Sequence, residues 1–187
     1  MNKSLNFENY LFISPEKFII LIKEESTNEK ILSKQILINE KSSRINYEIL
    51  DTFLASNIFN IEKEIKRFIK KFHLIIDSND FLTTQISIKR KNYKNILSKE
   101  ELIYSLNEVK DACKKTLENK KIIHMIIEKY IIDNNEYLVL PKNLECDNFS
   151  LDVKFISLSE KIVKNLETIL KKYQISIDRI INVYLSL

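Results

Sequence analysis

The sequence predicts an α/β protein in which a mixed five-stranded sheet is flanked by helices and carries a small inserted α+β module. Runs rich in Ile, Leu, Val and Phe alternate with segments whose apolar residues recur at helical spacing. When residues 92–158 are set aside, the predicted elements follow the order β-β-β-α-β-α-β, which is typical of a mixed sheet with helices packed on it. Residues 92–158 themselves predict one helix and two long strands.

The first three strands are predicted to form an antiparallel meander. Two apolar runs, residues 11–14 and 18–23, are separated by Pro15 and Glu16, a spacing that suits a hairpin turn. A third run, residues 31–38, follows a polar connector. Because consecutive strands joined by short links usually lie side by side, these three runs are expected to pair in order.

Two helices and a strand are predicted next. Residues 42–57 have near-helical apolar spacing but weak capping, and they predict a short helix. Asn60 is predicted to be the N-cap of a longer helix, and residues 81–90 alternate as a strand of the main sheet would. The apolar stripe of the longer helix is Ile61, Ile65, Phe68, Ile69 and Phe72.

The central module has the best-marked helix start. Ser98 is followed three residues later by Glu101, a capping box that satisfies two backbone donors at a helix N-terminus. Dense β-branched runs over residues 122–133 and 149–158 then predict strands. A helix near Ser159 and a last strand over residues 177–187 return to the main sheet. The predicted units are therefore 1–91 with 159–187 and, inserted between them, 92–158.

The composition predicts a folded protein without a phosphate-binding loop. The chain has 187 residues, 44% hydrophobic content and a formal net charge of +4, and it contains no glycine. Phosphate-cradling loops need glycine because their backbone approaches the phosphate closely and turns through positive φ. Turns must rely on Asn and Asp instead, and the pairs Asn134-Asn135 and Ser78-Asn79 are predicted to adopt left-handed conformations.

Few side chains are candidates for catalysis or metal binding. His73 is predicted at the end of a helix and His124 in a strand, and neither has a second His or Cys at ligand spacing. Cys113 lies on the apolar face of its helix and Cys146 has no Cys-x-x-Cys neighbour, so both are predicted to be reduced structural residues. We therefore expect no enzyme activity, no metal and no cofactor.

One basic run is a candidate for nucleic-acid contact. Basic residues can grip phosphates, and an aromatic ring among them can stack on a base. The run lies at a predicted strand end among plentiful acidic residues, which favours a solvated loop, so no nucleic-acid partner is expected. Its members are Lys89, Arg90, Lys91, Tyr93 and Lys94.

Three stretches resemble the bacterial cell-division family FtsA, which belongs to the actin family. They are ILSKEELIYSLNEVKDACKKT (96–116), KKIIHMIIEKYIID (120–133) and the run that begins SLDVKFISLSEK (150–187). They follow one another in the order that the family shows. The resemblance implies that residues 1–91 and 159–187 form the actin-like subdomain 1A. It also implies that residues 92–158 form an SHS2-type subdomain 1C, so that the chain corresponds to the first half of the family.

The sequence departs from that family where a nucleotide would bind. The family's first phosphate loop lies between the first two strands, but here that turn reads Ser14, Pro15, Glu16 and Lys17 and has no glycine. The other phosphate loop and the adenosine pocket lie in the family's second half, which has no counterpart up to Leu187. We therefore expect no ATP binding.

The resemblance implies a non-enzymatic scaffold protein of bacterial cell division that acts in septum assembly. Subdomain 1C of that family contacts neighbouring molecules and the cytosolic tails of later division proteins. The expected partners are thus other cell-division proteins or a second copy of this chain. The residues expected to bind a partner are Tyr130, Glu136, Tyr137 and Leu138.

The chain is expected to be cytoplasmic and to lack direct membrane insertion. It has no apolar run of 18 residues, and its N-terminus lacks the apolar centre of a signal peptide. The resemblance adds recruitment to the inner face of the membrane at the division site.

Two alternative functions stay open. One is a pilus-assembly adaptor related to PilM, which shares the actin-like plan and binds a short peptide from a membrane partner. The other is a basic nucleic-acid-binding module built on the run around Arg90. The last predicted strand, residues 177–187, also leaves an apolar sheet edge that a second copy or another protein would cover.

Overall fold

The computed structural model describes residues 6–39 and 42–183. The chain divides into two compact units, Met1–Asp80 with Lys161–Leu187, and Phe81–Glu160. The helices are α1 (Tyr47–Ile65), α2 (Lys99–Thr116) and α3 (Glu160–Lys171). The strands are β1 (Phe7–Ile13), β2 (Lys17–Glu24), β3 (Lys30–Leu37), β4 (Lys71–Ile76), β5 (Leu82–Ile96), β6 (Lys120–Ile132), β7 (Asn135–Tyr137), β8 (Glu145–Ser159) and β9 (Ser176–Asn182).

The first unit is built on a mixed five-stranded sheet in the order β3-β2-β1-β4-β9. β1 pairs antiparallel with β2, and β2 pairs antiparallel with β3, so the predicted meander is confirmed. β4 runs parallel to β1, and β9 runs parallel to β4. The predicted mixed sheet of five strands is therefore confirmed.

The two helices of the first unit lie on the same face of this sheet. The Phe53 ring of α1 lies 6.4 Å from the ring of Phe18, a fully buried residue of β2. α3 lies beside α1, because the Asp51 carboxylate accepts hydrogen bonds from the Tyr173 hydroxyl (2.8 Å) and the Lys172 ammonium (2.5 Å). The buried helix residues are Leu50, Phe53, Leu54, Ile58 and Ile61 of α1 and Val163, Leu166, Ile169 and Leu170 of α3.

The start of the helix predicted at Asn60 is wrong. Asn60 lies inside α1, where its amide donates to the Ser56 carbonyl oxygen at 3.1 Å. The N-cap is Asn46, whose side chain accepts hydrogen bonds from the backbone N–H groups of Glu48 and Ile49. The separate short helix predicted over residues 42–57 and the first half of the longer one therefore form a single helix of 19 residues.

The predicted end of that helix is also wrong. The helix stops at Ile65 because Lys66 adopts the left-handed conformation, with φ of 55°. Phe68 is 82% exposed, and Phe72 is buried in β4. The helical spacing of apolar residues beyond Ile65 therefore arises by chance from a loop followed by a strand. β4 occupies the interior sheet position between β1 and β9.

The second unit is a four-stranded antiparallel sheet in the order β5-β8-β6-β7, with α2 packed on it. The capping box of α2 is confirmed: Glu101 N–H donates to Ser98 Oγ at 3.1 Å, and Ser98 N–H donates to Glu101 Oε2 at 3.2 Å. Leu102, Val109 and Cys113 of α2 belong to one buried cluster with the central strand β8. The β8 members of this core are Cys146, Phe149, Leu151, Val153 and Phe155.

The strand predicted over residues 81–90 exists, but its assignment to the main sheet is wrong. It is the first part of β5, which pairs antiparallel with β8 along most of its length. The local alternation reveals a strand without revealing its partner, which lies more than fifty residues away. The predicted inserted segment, residues 92–158, lies within the second unit but omits the first ten residues or so of β5.

Non-glycine residues supply the left-handed positions in this glycine-free chain. Asn134 is left-handed as predicted, with φ of 71°, whereas Asn135 already belongs to β7. Ser78 and Asn79 are not left-handed; instead the Ser78 hydroxyl donates to the Asp80 carboxylate at 2.6 Å. In the described part of the chain, the left-handed residues are Asn28, Lys66, Tyr93, Lys94, Asn119, Asp133, Asn134, Asn143 and Gln174.

The last strand, β9, covers only the first part of its predicted range, residues 177–187. β9 ends at Asn182, and its Ile180 is buried at 7% exposure. Leu185 and Leu187, which were predicted to continue an apolar edge, lie outside the described residues. Over the described ranges, no helix is long and apolar enough to cross a membrane.

Candidate functional site

The β6–β7 hairpin carries the residues predicted to bind a partner. Its turn is formed by Asp133 and Asn134, with φ of 44° and 71°. The Asp133 carboxylate accepts hydrogen bonds from the backbone N–H groups of Asp147 (3.0 Å) and Asn148 (2.8 Å). These bonds tie the turn to the start of β8, so that the hairpin is held to the body of the sheet.

The structure brings three of the four predicted residues together and places the fourth next to them. Tyr130 and Tyr137 face each other across the hairpin, and both pack against the core of the second unit. Glu136 precedes Tyr137 on β7 and is exposed opposite Ile131, and Leu138 follows β7 with 83% of its side chain exposed. The tyrosines therefore support the hairpin, whereas Glu136 and Leu138 are accessible.

Sequence reasoning missed the most exposed neighbour of this group. Val139 is 79% exposed and directly follows Leu138, and we call the two residues the Leu138–Val139 tip. The next residue, Leu140, packs against the core and limits the exposed stretch. The signal was present in the sequence, because the apolar run from Leu138 to Leu140 extends beyond the short strand into a segment with no regular structure.

Ion pairs cover the sheet surface next to the tip. The Lys129 ammonium lies 2.8 Å from Glu136 and 3.5 Å from Asp152, and the hydrogen bond to Glu136 is the main cause that raises the pKa of Lys129. Glu128 pairs with Lys154, which lowers the pKa of the Glu128 carboxyl. Two lysines here contact three carboxylates, so the polar groups next to the tip carry a net negative charge.

The β1–β2 turn uses its own backbone amides. Ser14 is buried, and its Oγ accepts hydrogen bonds from the N–H groups of Glu16 (3.3 Å) and Lys17 (3.0 Å). The Ser14 N–H donates to the Lys17 carbonyl at 3.0 Å. The Lys17 ammonium lies 5.4 Å from the centre of the Phe12 ring. The amides that would face a phosphate at this turn are therefore already bonded within it.

A polar cluster on β4 and β9 was not predicted. His73 lies inside β4, not at a helix end as predicted, and Arg179 Nε donates to His73 Nδ1 at 3.0 Å. The Asp178 carboxylate lies 3.1 Å from the same nitrogen and 2.9 Å from the Lys71 ammonium. Burial lowers the pKa of His73, Arg179 acts in the same direction, and the Asp178 carboxylate opposes them. The misplaced helix concealed this cluster from sequence reasoning.

The other residues considered for catalysis or metal binding, two cysteines and a histidine, have pKa values shifted by burial. Cys113 and Cys146 are free and buried, and burial raises the pKa of both thiols. His124 lies in β6 as predicted, and burial lowers its pKa. Within residues 6–39 and 42–183, no group of three or more His, Cys, Asp or Glu side chains is placed to hold a metal ion.

The basic run is part of a β-bulge in β5. Tyr93 and Lys94 are both left-handed, and the pairing of β5 with β8 shifts between Lys91 and Asn95. Asn92 is buried beneath the bulge, and its amide donates to the Asn95 carbonyl at 2.6 Å. Arg90 is paired with Glu108 of α2. One of the four basic charges of the run is thus already paired with a carboxylate. The bulge itself is stabilised by the buried Asn92.

These features define the class of protein. A sheet in the order β3-β2-β1-β4-β9, two helices on one face and an α+β unit inserted before α3 make an actin-like fold. No family profile and no curated protein match the sequence.

Solved structures give the likeness. A chain of the PilM–PilN type IV pilus biogenesis complex has a TM-score of 0.58 and 5% identity, and the match covers 94% of this chain and 47% of that one. The cytoplasmic domain of EpsL, an inner-membrane component of the type II secretion system of Vibrio cholerae, has a TM-score of 0.47 and 12% identity, with 95% and 57% covered.

A third structure, a Bacteroides thetaiotaomicron protein with an actin-like ATPase fold and unknown function, has a TM-score of 0.36 and 12% identity, with 96% and 52% covered. The chain therefore spans about half the length of the structures that it matches. The likeness establishes the fold, and the narrower resemblance to FtsA stays a prediction.

Proposed function

We propose that this chain is a non-enzymatic protein-interaction scaffold with an actin-like fold. The observation that carries the proposal is the Leu138–Val139 tip, where two adjacent apolar side chains are 83% and 79% exposed beside the edge strand β7. Apolar side chains exposed together at a sheet edge favour contact with another protein. Glu136 and the tyrosine pair Tyr130 and Tyr137 give this tip a polar border and a firm support.

The absence of catalysis is part of the same proposal. Nucleotide binding on an actin-like sheet needs backbone amides that are free to face a phosphate, and the amides of Glu16 and Lys17 are bonded to Ser14 Oγ. A conformational change that opened the turn would also have to break these bonds. We therefore propose that the chain binds its partners without hydrolysing ATP.

The proposed setting is bacterial cell division, with septum proteins as partners, because of the resemblance to FtsA in residues 96–187. A pilus-assembly or secretion adaptor is the second candidate, and the similarity in fold to a chain of the PilM–PilN complex favours it. In both settings the partner would be the cytosolic tail of a membrane protein, with the chain itself in the cytoplasm at the inner face of the membrane.

Binding to such tails tests the proposal. The probes are synthetic cytosolic tails of the division membrane proteins and of the pilus and secretion membrane proteins from the same organism, measured by biolayer interferometry. Leu138→Asp is expected to weaken binding at least about tenfold, since the loss of one buried Leu contact is of order 1.5–3 kcal/mol. Ile103→Asp, at a side chain of α2 that is 48% exposed, is the matched control and should leave binding unchanged.

The outcomes separate the two settings. Binding of a division tail that depends on Leu138 supports the division scaffold, whereas binding of a pilus or secretion tail alone supports the adaptor. If the two substitutions weaken every tail equally, or if no tail binds, the tip is not the interaction site.

Calorimetry tests the non-enzymatic part. Titration of the chain with ATP and Mg²⁺ should give no binding heat, and micromolar affinity would contradict the proposal. Ser14→Ala tests whether the bonded amides prevent nucleotide binding, because it frees the Glu16 and Lys17 N–H groups without adding a glycine.

A further inference from the structure

The edge strand β3 has an unpaired side. It lies at one end of the five-stranded sheet, and within the described ranges it pairs only with β2. The Ile38 N–H donates to the Glu16 carbonyl at 2.7 Å, which fixes the phase of the hydrogen bonds. Since alternate residues of an antiparallel strand direct their backbone groups to opposite sides, Ser33 and Gln35 direct theirs away from β2.

A groove runs beside this open side. It has a volume of about 480 Å³ and lies between Ile36 of β3 and the side of α1 that carries Ile49 and Phe53. Thr52 and Ser56 also line it, but their hydroxyls donate to the Glu48 and Thr52 carbonyls of their own helix, at 3.0 and 2.8 Å. Gln35, Glu48 and Asn57 line it as well, so the groove combines an apolar surface with a polar rim.

An open strand edge beside a helix-lined groove is the arrangement by which domains accept an extended peptide. The main-chain groups of the edge bind the peptide backbone, and the groove takes alternate side chains. We propose that β3 and α1 form such a site, in which an extended segment of a partner protein adds to the sheet as a sixth strand. The site lies in the first unit and goes beyond the proposed function, which concerns the tip of the second unit.

The charge of β3 selects the occupant. The strand has two lysines, Lys30 and Lys34, and no acidic residue. Lys34 is exposed and lies between Leu32 and Ile36 on one face of β3. This is the face that α1 covers, because the partner of Lys34 in β2 is the buried Ile20. It forms no ion pair with any residue in the described part of the chain. The segment that fits has a carboxylate opposite Lys34 and an apolar side chain at each of the two flanking groove positions.

The same lysines disfavour a second copy of this chain as the occupant. When two β3 strands pair antiparallel about Leu32, Lys30 of one copy lies opposite Lys34 of the other, and pairing about Lys34 places the two Lys34 side chains opposite each other. Pairing about Ser33 avoids these contacts, but it places Lys34 opposite Leu32 and gives it no carboxylate. Like charges at opposed positions destabilise a strand pair. A partner of opposite charge pattern is therefore the occupant proposed here.

A peptide with this pattern provides the test. The probe is a fluorescein-labelled Thr-Val-Thr-Glu-Thr-Val-Thr peptide, and the control replaces its Glu with Lys. Fluorescence anisotropy with the full chain at low salt should show saturable binding of the Glu peptide and about fivefold weaker binding of the Lys peptide, as expected for exchanging an attractive cross-strand pair for a repulsive one. Lys34→Glu should reverse this preference. No saturation at millimolar peptide, or a preference that Lys34→Glu leaves unchanged, overturns the proposal.

A backbone substitution separates strand addition from surface attraction. Gln35→Pro removes an N–H that points away from β2, so it should abolish peptide binding while the β2–β3 pairing persists. Gln35→Val keeps that N–H and should bind as the unaltered chain does.

If Gln35→Pro unfolds the protein, the charge reversal at Lys34 is the measurement that supports or overturns the proposal. Sedimentation that shows a dimer lost with Gln35→Pro would identify a second copy as the occupant and overturn the partner assignment. Tail binding at Leu138 is measured separately, so either proposal can fail without the other.

Discussion

Asn46 and Asn60 place the same side chain in two different environments of one helix. Asn46 Oδ1 accepts hydrogen bonds from the Glu48 and Ile49 N–H groups, both at 3.1 Å, which have no partner within the helix. Asn60 is exposed in the helix, and its side chain only competes for a carbonyl oxygen that is already bonded. The cap stabilises the helix, whereas the interior Asn does not.

Replacing each Asn with Ala distinguishes these roles. Asn46→Ala should lower the free energy of unfolding by about 0.5–2 kcal/mol, because two backbone donors lose their acceptor. Asn60→Ala should leave the free energy of unfolding unchanged or raise it by about 0.5 kcal/mol, since Ala is the better helix former. Urea denaturation followed by circular dichroism measures both, and an equal loss would contradict this assignment of the helix start.

The two histidines predict how stability depends on pH. Burial lowers the pKa of His73 and of His124 from the usual value of 6.5, so the unfolded chain binds protons more readily than the folded protein. Stability should therefore be fully present above pH 6.5 and decline as the pH falls below it toward the folded pKa values. Thermal unfolding at pH 7.5 and pH 5.5 measures the change. The variant with His73→Gln and His124→Gln should show a smaller decline, and a melting temperature that rises on acidification would contradict the expected sign.

At this scale, the sequence predicted residues whose partners are close along the chain. Ser98 and Glu101 were identified correctly because a capping box is contained within four residues. His73 was misplaced because its partners, Asp178 and Arg179, lie more than a hundred residues away. Leu138 and Tyr137 were both expected to bind a partner, but no local pattern shows that Leu138 is exposed whereas Tyr137 packs on the core.

Among the elements, α1 shows how a helix ends in a chain without glycine. The helix ends at Lys66, which is left-handed with φ of 55° and ψ of 35° while its N–H bonds to the Glu62 carbonyl. Left-handed conformations are unfavourable for residues with a Cβ and are usual for glycine at this helix position. The chain therefore holds Lys66 in a strained conformation that the fold imposes.

Glycine substitutions measure this strain. Lys66→Gly should raise the free energy of unfolding by about 0.5–1 kcal/mol, because it relieves the left-handed Cβ contact. Lys63→Gly, a few residues earlier in the same helix, should lower the free energy of unfolding by about 0.5–1 kcal/mol. Both remove one lysine, so the comparison is matched for charge. If Lys66→Gly destabilised the protein as much as Lys63→Gly, the left-handed helix end would be wrong.

Strand β5 shows why elements were easier to predict than their pairing. Its alternation of apolar and polar residues was correctly recognised as a strand, but a strand's partner depends on contacts that are distant in sequence. In the structure β5 is an edge strand, and the bulge at Tyr93 and Lys94 with its lysines protects that edge from further pairing. The basic run is thus explained by the element in which it lies.

For the whole molecule, the predicted order β-β-β-α-β-α-β is correct although one of its strands was misidentified. The fourth strand of the main sheet is β4, a buried run that was assigned to the end of a helix, and it occupies the position given to residues 81–90. Continuous apolar runs of a central parallel strand lack the alternation that marks an exposed one, so they are readily taken for a helix face. The predicted fold class is still correct because β4 takes the place in the order that was predicted for residues 81–90.

The inserted unit should fold without the rest of the chain. Its residues, Phe81–Glu160, are contiguous, and its ends are neighbours because Leu82 of β5 lies opposite Ser157 of β8. It has its own buried core of α2 and β8 residues. A domain with a separate core and adjacent ends meets the usual conditions for independent folding.

Expression of residues 81–160 alone tests this expectation. The fragment should unfold cooperatively and give dispersed amide resonances in a two-dimensional NMR spectrum, because the pairing of β5, β8 and β6 lies entirely within it. Phe155→Ala, at a fully buried core position of β8, should lower its free energy of unfolding by about 3–5 kcal/mol or unfold it. Met125→Ala, at a side chain that is 38% exposed, is the control and should cost far less. A fragment that remains collapsed without dispersed resonances would mean that the inserted unit needs the five-stranded sheet in order to fold.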